Sequence, residues 1–196
     1  MSEKELEERV MLNRKQFLEI RKFIQESFPN FKSINQTNYY FDDDKLRVKE
    51  LHNMLRVRVI RGNKIKEFTY KVNGEDGDYE YTTPLTHYQY KKLIGDCIVP
   101  NGITKDKLVE HSVNIKSIKM IVSLSTKRIE VDAGDYILAL DQNRYNDTTD
   151  YNLEIESKIS KNHAKQVIND YCSKFNLVYK SDYKTKVARA FESIKR

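Results

Sequence analysis

Apolar and polar residues alternate one by one along most of this chain, the period of a β-strand with one face against a core. Nine segments read this way: 3–12, 35–42, 54–61, 64–72, 77–82, 117–124, 126–132, 136–142 and 150–158. Turn signals such as Arg61-Gly62-Asn63 and Asn73-Gly74 separate several of them. Neighbours so close in sequence join most simply as antiparallel pairs. Four segments carry the helical period instead. Phe17, Ile20, Ile24 and Phe28 recur in 14–28. A capping box, Thr86 with Gln89, opens a short helix near 84–94. Ala164, Val167, Ile168, Tyr171, Cys172 and Phe175 form a stripe in 162–175. Val187, Ala190, Phe191 and Ile194 do so in 183–195, with Lys186 and Arg189 together on another face. About 95–116, GDCIVPNGITKD included, turn signals occur without a period, and the stretch reads as an excursion inside one domain. Strands outnumber helices, and the helices flank the strand series. The pattern predicts an α+β fold, a large antiparallel sheet or barrel with helices packed against it.

The polar positions of these strands are unusually charged. Glu5, Glu7 and Arg9 share one face, opposite Leu6, Val10 and Leu12, with Glu8 an exception. Arg56 and Arg58 lie opposite Leu55, Val57 and Val59; Lys71 lies opposite Phe68 and Tyr70; Asp78 and Glu80 lie opposite Tyr79 and Tyr81. Thr126, Arg128 and Glu130 oppose Ile129 and Val131. Asp141 opposes Leu138 and Leu140, and Asn152, Glu154 and Glu156 oppose Leu153 and Ile155. Any antiparallel sheet with one wet face alternates. Like charges paired on one strand, however, cost energy unless something opposite compensates, although solvent screens part of that cost. If the sheet closes, the helices cover its apolar outside and the charges line a narrow interior. Grouped carboxylates suit hard divalent cations. Grouped Arg and Lys suit phosphate oxygens. Together they describe a site for a metal-bound polyphosphate.

Composition narrows the class further. A length of 196 residues suits one domain, taken as 1–196. Thirteen tyrosines and eight phenylalanines argue for packing rather than disorder. A net charge of +6 permits an anionic partner. The basic residues are scattered among acids rather than gathered in a patch, so nucleic acid is not expected. Cys97 and Cys172 form no close motif, and the isolated His52, His87, His111 and His163 suggest no ligand set. The opening MSEKELEERVML does not resemble a signal peptide, and no run approaches the ~20 apolar residues of a membrane span. A cytoplasmic protein, monomer or homodimer, is expected. Phosphate-binding Gly-Lys-Ser/Thr loops, dinucleotide Gly fingerprints and Gly-x-Ser-x-Gly elbows are all missing.

Ordered along the chain, these residues resemble the CYTH superfamily, the triphosphate tunnel metalloenzymes, and in particular its small single-domain bacterial members. Glu5-Leu6-Glu7-Glu8-Arg9 is similar to the family's Glu-x-Glu-x-Lys, with Arg9 in place of Lys. Asn38-Tyr39-Tyr40-Phe41-Asp42, Leu55-Arg56-Val57-Arg58, Thr69-Tyr70-Lys71, Thr126-Lys127-Arg128, Leu140-Asp141, Asp150 to Glu156 and Lys186-Val187-Ala188-Arg189 follow in the family's order. The resemblance implies a closed eight-stranded antiparallel β-barrel, a tunnel with helices outside. It implies that Glu5, Glu7, Asp141, Glu154 and Glu156 are catalytic and hold Mg2+ or Mn2+. It implies that Arg9, Arg56, Arg58, Lys71, Arg128, Lys186 and Arg189, with Glu80 as helper, bind a small triphosphate. The implied activity is metal-dependent hydrolysis of inorganic triphosphate or another small organic triphosphate. A class IV-type adenylate cyclase and a non-catalytic polyphosphate- or nucleotide-binding module are the alternatives.

Overall fold

The structure, a computed structural model, describes residues 4–74, 78–180 and 184–195; the side chains of Lys4, Glu5 and Lys195 lie outside that description. So do the first residues of three expected elements, those at 3, 77 and 183. In chain order the elements are β1 (Lys4–Glu5), β2 (Glu7–Leu12), α1 (Arg14–Ser27), β3 (Lys32–Asp42), α2 (Arg47–Glu50), β4 (Met54–Ile60), β5 (Lys66–Val72), β6 (Asp78–Leu85), α3 (His87–Asp96), α4 (Ile103–Glu110), β7 (Lys119–Asp132), β8 (Tyr136–Tyr145), β9 (Thr148–Ser157), α5 (Lys161–Lys174) and α6 (Lys186–Glu192). The chain forms two compact units. The first holds Met1–Lys4, Gln36–Leu124 and Val187–Arg196; the second holds Glu5–Asn35 and Ser125–Lys186.

In the second unit the strands pair antiparallel in the order β7-β8-β9-β2. Alternation sends Val10, Leu12, Val131, Leu138, Leu140, Leu153 and Ile155 to one face, where α1 and α5 cover them with Phe17, Ile20, Ile24, Ala164 and Ile168. α1 starts where expected because Asn13 and Gln16 bond reciprocally, each side-chain oxygen accepting from the other's backbone N–H at 2.9 Å. Ser160 caps α5 by accepting from the His163 N–H at 3.1 Å. Glu8, the charged residue on the apolar side of β2, accepts a 2.5 Å hydrogen bond from the Tyr179 hydroxyl, which satisfies it there.

In the first unit β3, β4, β5 and β6 pair antiparallel in that order. Phe41, Leu55, Val57, Phe68 and Tyr70 face a core completed by Leu93 of α3 and Leu108 of α4. The Thr86–Gln89 capping box opens α3 as expected. α4 falls inside the stretch read as aperiodic. It has no side-chain cap, and its docking runs through Thr104, whose hydroxyl lies 2.8 Å from the Phe68 carbonyl and 3.0 Å from that of Tyr81. Gly102 precedes it at φ 144°, where a Cβ would lie 2.6 Å from Thr83 Cγ2, so only glycine fits there.

The antiparallel α+β architecture is thus as expected, with eight strands, β2 to β9, in antiparallel pairs. One expected break between strands is missing. The segments 117–124 and 126–132 are a single strand, β7. Even-numbered Val122 and Leu124 are its buried apolar residues early on, whereas odd-numbered Val131 faces the core near its end. The apolar parity changes within one continuous strand, and that change reads as a break in the sequence.

Candidate functional site

The charged side of the second unit is laid out in rows by strand register. Arg128, Asp141, Asn152 and Met11 stand abreast across β7, β8, β9 and β2. The next row is Glu130, Ala139, Glu154 and Arg9; the one after is Asp132, Ile137, Glu156 and Glu7. Rows are two residues apart, about 6.6–6.8 Å.

At the centre sit two buried carboxylates, Asp141 at 0% exposure and Glu154 at 5%. Arg128 forks onto Asp141, Nε to Oδ1 at 2.8 Å and Nη2 to Oδ2 at 2.9 Å, and the same Nη2 reaches Glu154 Oε2 at 2.8 Å. Lys186, at the start of α6, donates to Asp141 and, at 2.9 Å, to Glu154. Arg9 lies 3.8 Å from Glu154 and donates to Glu7. Burial acts to raise the Glu154 carboxyl, but the charges of Lys186, Arg9 and Arg128 outweigh it and hold the group well below the usual carboxylate range. Asp141 follows the same balance, lowered by Lys186 and Arg128 against its burial. For Arg128, burial favours the neutral form, and Asp141 and Glu154 more than reverse that, so it stays charged.

The structure therefore brings together Arg9, Arg128, Asp141, Glu154 and Lys186, with Glu7 joined through Arg9. Glu156 stands on the same face, exposed and directly opposite Glu7. Like charges so placed repel unless a cation compensates. Glu5 continues the β2 side of the pattern, but its side chain lies outside the described residues. Glu130, 3.8 Å from Arg128, shares the face. Asn143, fully buried beyond Asp141, escapes a sequence reading that ends the strand at 142; carrying the alternation Asp141-Asn143-Tyr145 onward finds it.

The remaining candidates stand in the first unit. Arg56, largely buried, donates to Glu80 Oε1 at 3.0 Å, and Lys71 pairs with Asp78 at 2.8 Å. Asn38 and Tyr40 stand abreast of Arg58 and Arg56 on β3. Arg189 is half-buried on α6.

Oxygen-only donors on one strand face suit a hard divalent ion by their chemistry. Among the described residues, no three acidic, His or Cys side chains are already gathered as a metal cage. Glu154 and Asp141 hold cationic side chains instead.

The sequence profile of the CYTH domain matches residues 3–191, nearly the whole chain. The chain belongs to the CYTH family. Among relatives of this CYTH protein, the Bacillus subtilis (strain 168) protein named "Putative triphosphatase YjbK" is 28% identical over 190 residues, covering 96% of this chain and 94% of that protein. A Bacillus halodurans crystal structure described as a putative adenylate cyclase is 27% identical, with TM-score 0.87 over 97% of this chain and 98% of that one. The Hippeastrum protein HpAC1, described as a putative adenylyl cyclase with a dominant triphosphatase activity, superposes with TM-score 0.76 over 98% of this chain and 96% of its own. At 17% identity it shares the fold alone.

Proposed function

We propose that this CYTH protein hydrolyses the phosphoanhydride of a small triphosphate, inorganic triphosphate first among the candidates, in a reaction dependent on Mg2+ or Mn2+. The observation that carries the reading is the buried cluster in which Arg128, Lys186 and Arg9 converge on Asp141 and Glu154. Three cations held by carboxylates on one strand face are preorganised for phosphate oxygens and need little rearrangement when the anion arrives. Membership of a family that includes a protein named as a triphosphatase supports the same chemistry.

Within this reading the strands close into an eight-stranded tunnel, and 1–196 acts as one CYTH domain. Arg56, Arg58, Lys71 and Arg189 add to the phosphate-binding set, with Glu80 fixing Arg56. Glu5, Glu7, Glu154 and Glu156 hold the divalent ion, which when bound supplies charge neutralisation and a water of lowered pKa. Asp141 has both oxygens taken up by Arg128 and Lys186, so its contacts favour fixing those cations over ligating metal directly. Arg128 and Lys186 keep the phosphate chain in line, and attack of water on a terminal phosphorus releases orthophosphate and diphosphate. No protein nucleophile is required. The cell compartment proposed is the cytoplasm; no helix among the described residues is long and apolar enough to cross a membrane.

The test is Glu154→Gln. Metal-dependent phosphate release should fall by orders of magnitude while circular dichroism stays unchanged. Normal turnover in the folded variant would overturn the assignment. The Bacillus halodurans neighbour keeps a cyclase reading in view. A cyclase would release diphosphate and a cyclic nucleotide from a nucleoside triphosphate, so product analysis separates the two.

A further inference from the structure

In the second unit, the end of β9 is tied off from behind the charged face. Glu7↔Glu156 is the last rung between β2 and β9. One residue on, the Ser157 N–H donates to the Leu6 carbonyl at 2.9 Å, and the Lys158 N–H donates to the Asp135 carbonyl at 2.9 Å. There the strand stops, and a strand end frays unless something holds it. Ser157 alternates with Glu156, so its side chain lies on the opposite face, the one α5 covers, where it is 5% exposed.

The Ser157 hydroxyl holds the turn into α5. Its oxygen accepts from the Ile159 N–H at 3.0 Å and from the Ser160 N–H at 3.1 Å. With both lone pairs used, its one proton goes to His163 Nδ1, 2.9 Å away. That bond selects the neutral imidazole that carries its own proton on Nε2. The His163 backbone N–H donates in turn to the capping Ser160 Oγ at 3.1 Å. The half-buried His163 ring lies 6.3 Å from that of Tyr136, which stands abreast of Ser157 on β8. A serine beside a histidine can be a nucleophile. This hydroxyl is buried, turned away from the charged face and already accepts two hydrogen bonds, so its bonds serve to fix the backbone.

That backbone carries three of the four carboxylates assigned above to the divalent ion. Glu156 precedes Ser157, and Glu5 and Glu7 flank Leu6, to which Ser157 is bonded. We propose that Ser157 and His163 are positioning residues for the metal site: the hydroxyl–imidazole bond holds the end of β9 so that Glu156 and the facing Glu7 serve one ion. Neither residue touches the ion or the substrate. The inference rests on the metal-dependent reading above.

Mn2+ binding to the intact protein without substrate, followed by loss of the free-ion electron paramagnetic resonance signal, tests it. His163→Leu removes the acceptor, whereas His163→Asn keeps an oxygen acceptor near the Nδ1 position. His163→Leu should bind Mn2+ about tenfold more weakly, within the range for partners that orient ligands from outside, and His163→Asn should restore most of the affinity. Ser157→Ala carries the same expectation as His163→Leu and decides the matter should that variant not fold. A merely structural role would lower Tm and leave Mn2+ affinity unchanged in the folded variants. That result, or equal weakening by His163→Leu and His163→Asn, would overturn the inference and leave the metal-dependent reading standing. Failure of the wild-type protein to bind Mn2+ would overturn both.

Discussion

Lys186→Met removes one of the cations that make two buried carboxylates tolerable. In the native protein the Lys186 ammonium bonds both Asp141 and Glu154. Without it Asp141 keeps the Arg128 fork, at 2.8 and 2.9 Å, while Glu154 keeps one Arg128 contact at 2.8 Å and the more distant Arg9 at 3.8 Å. Removing one partner from a buried ion pair costs about 3–5 kcal/mol. The surviving arginines place this case at the lower end, near ~3 kcal/mol at neutral pH, which for a chain of this length lowers Tm by roughly 6–12 °C. The pH dependence gives a sharper check. Asp141 and Glu154 have folded pKa values below their unfolded ones. Their stabilisation is fully present above about pH 4–5, the unfolded range, and is lost as pH falls toward the depressed folded values. Lys186→Met shrinks that depression, so the gap between variant and wild type should narrow as pH drops from 7 to 3. Urea denaturation at several pH values measures it, with Lys186→Arg as the charge-preserving control. A loss below about 0.5 kcal/mol at pH 7, or a loss that does not change with pH, would refute the reasoning.

Three further outcomes follow from the same kind of contact. Gly102→Ala puts a methyl group on a backbone at φ 144° and against the Thr83 side chain; it should cost about 3 kcal/mol in denaturant melts. Thr104→Val strips the hydroxyl that joins the Phe68 and Tyr81 carbonyls to α4; thermal melts should register a loss of about 1–3 kcal/mol. Tyr179→Phe leaves Glu8 without its 2.5 Å donor; a loss of about 1.5–3 kcal/mol is expected, removed by adding Glu8→Gln or Glu8→Leu if the cost comes from the carboxylate.

The elements most legible in the sequence are those whose cause is local. α3 announces itself by its capping box, which forms, and α1 by the apolar period of Phe17, Ile20 and Ile24, all buried. The alternation of β2, β8 and β9 names their core residues, Val10, Leu138, Leu140, Leu153 and Ile155, all buried. α4 is not legible because a tertiary bond through Thr104 anchors it, where a propensity or a cap would leave a mark. The parity change in β7 looks like a turn because sequence shows which residues are apolar but not which face a neighbour covers. For the site, the strand faces and the family's ordered motifs together name Arg9, Arg128, Asp141, Glu154 and Lys186. They do not reveal that Asp141 spends both oxygens on cations, since that depends on the register Arg128↔Asp141 and on where Lys186 ends. The buried Asn143 is hidden because β8 runs on to Tyr145, past the 142 at which its apolar alternation stops.

The activity proposed for this charged strand face is turnover of a triphosphate with the help of a divalent ion. The direct measurement is orthophosphate release from inorganic triphosphate by the intact protein, with Mg2+, with Mn2+ and with metal removed by chelation. Release with metal, its loss on chelation, and equal amounts of orthophosphate and diphosphate are expected. Release that persists without metal, or no release from inorganic triphosphate, thiamine triphosphate or nucleoside triphosphates under any of these conditions, would contradict it.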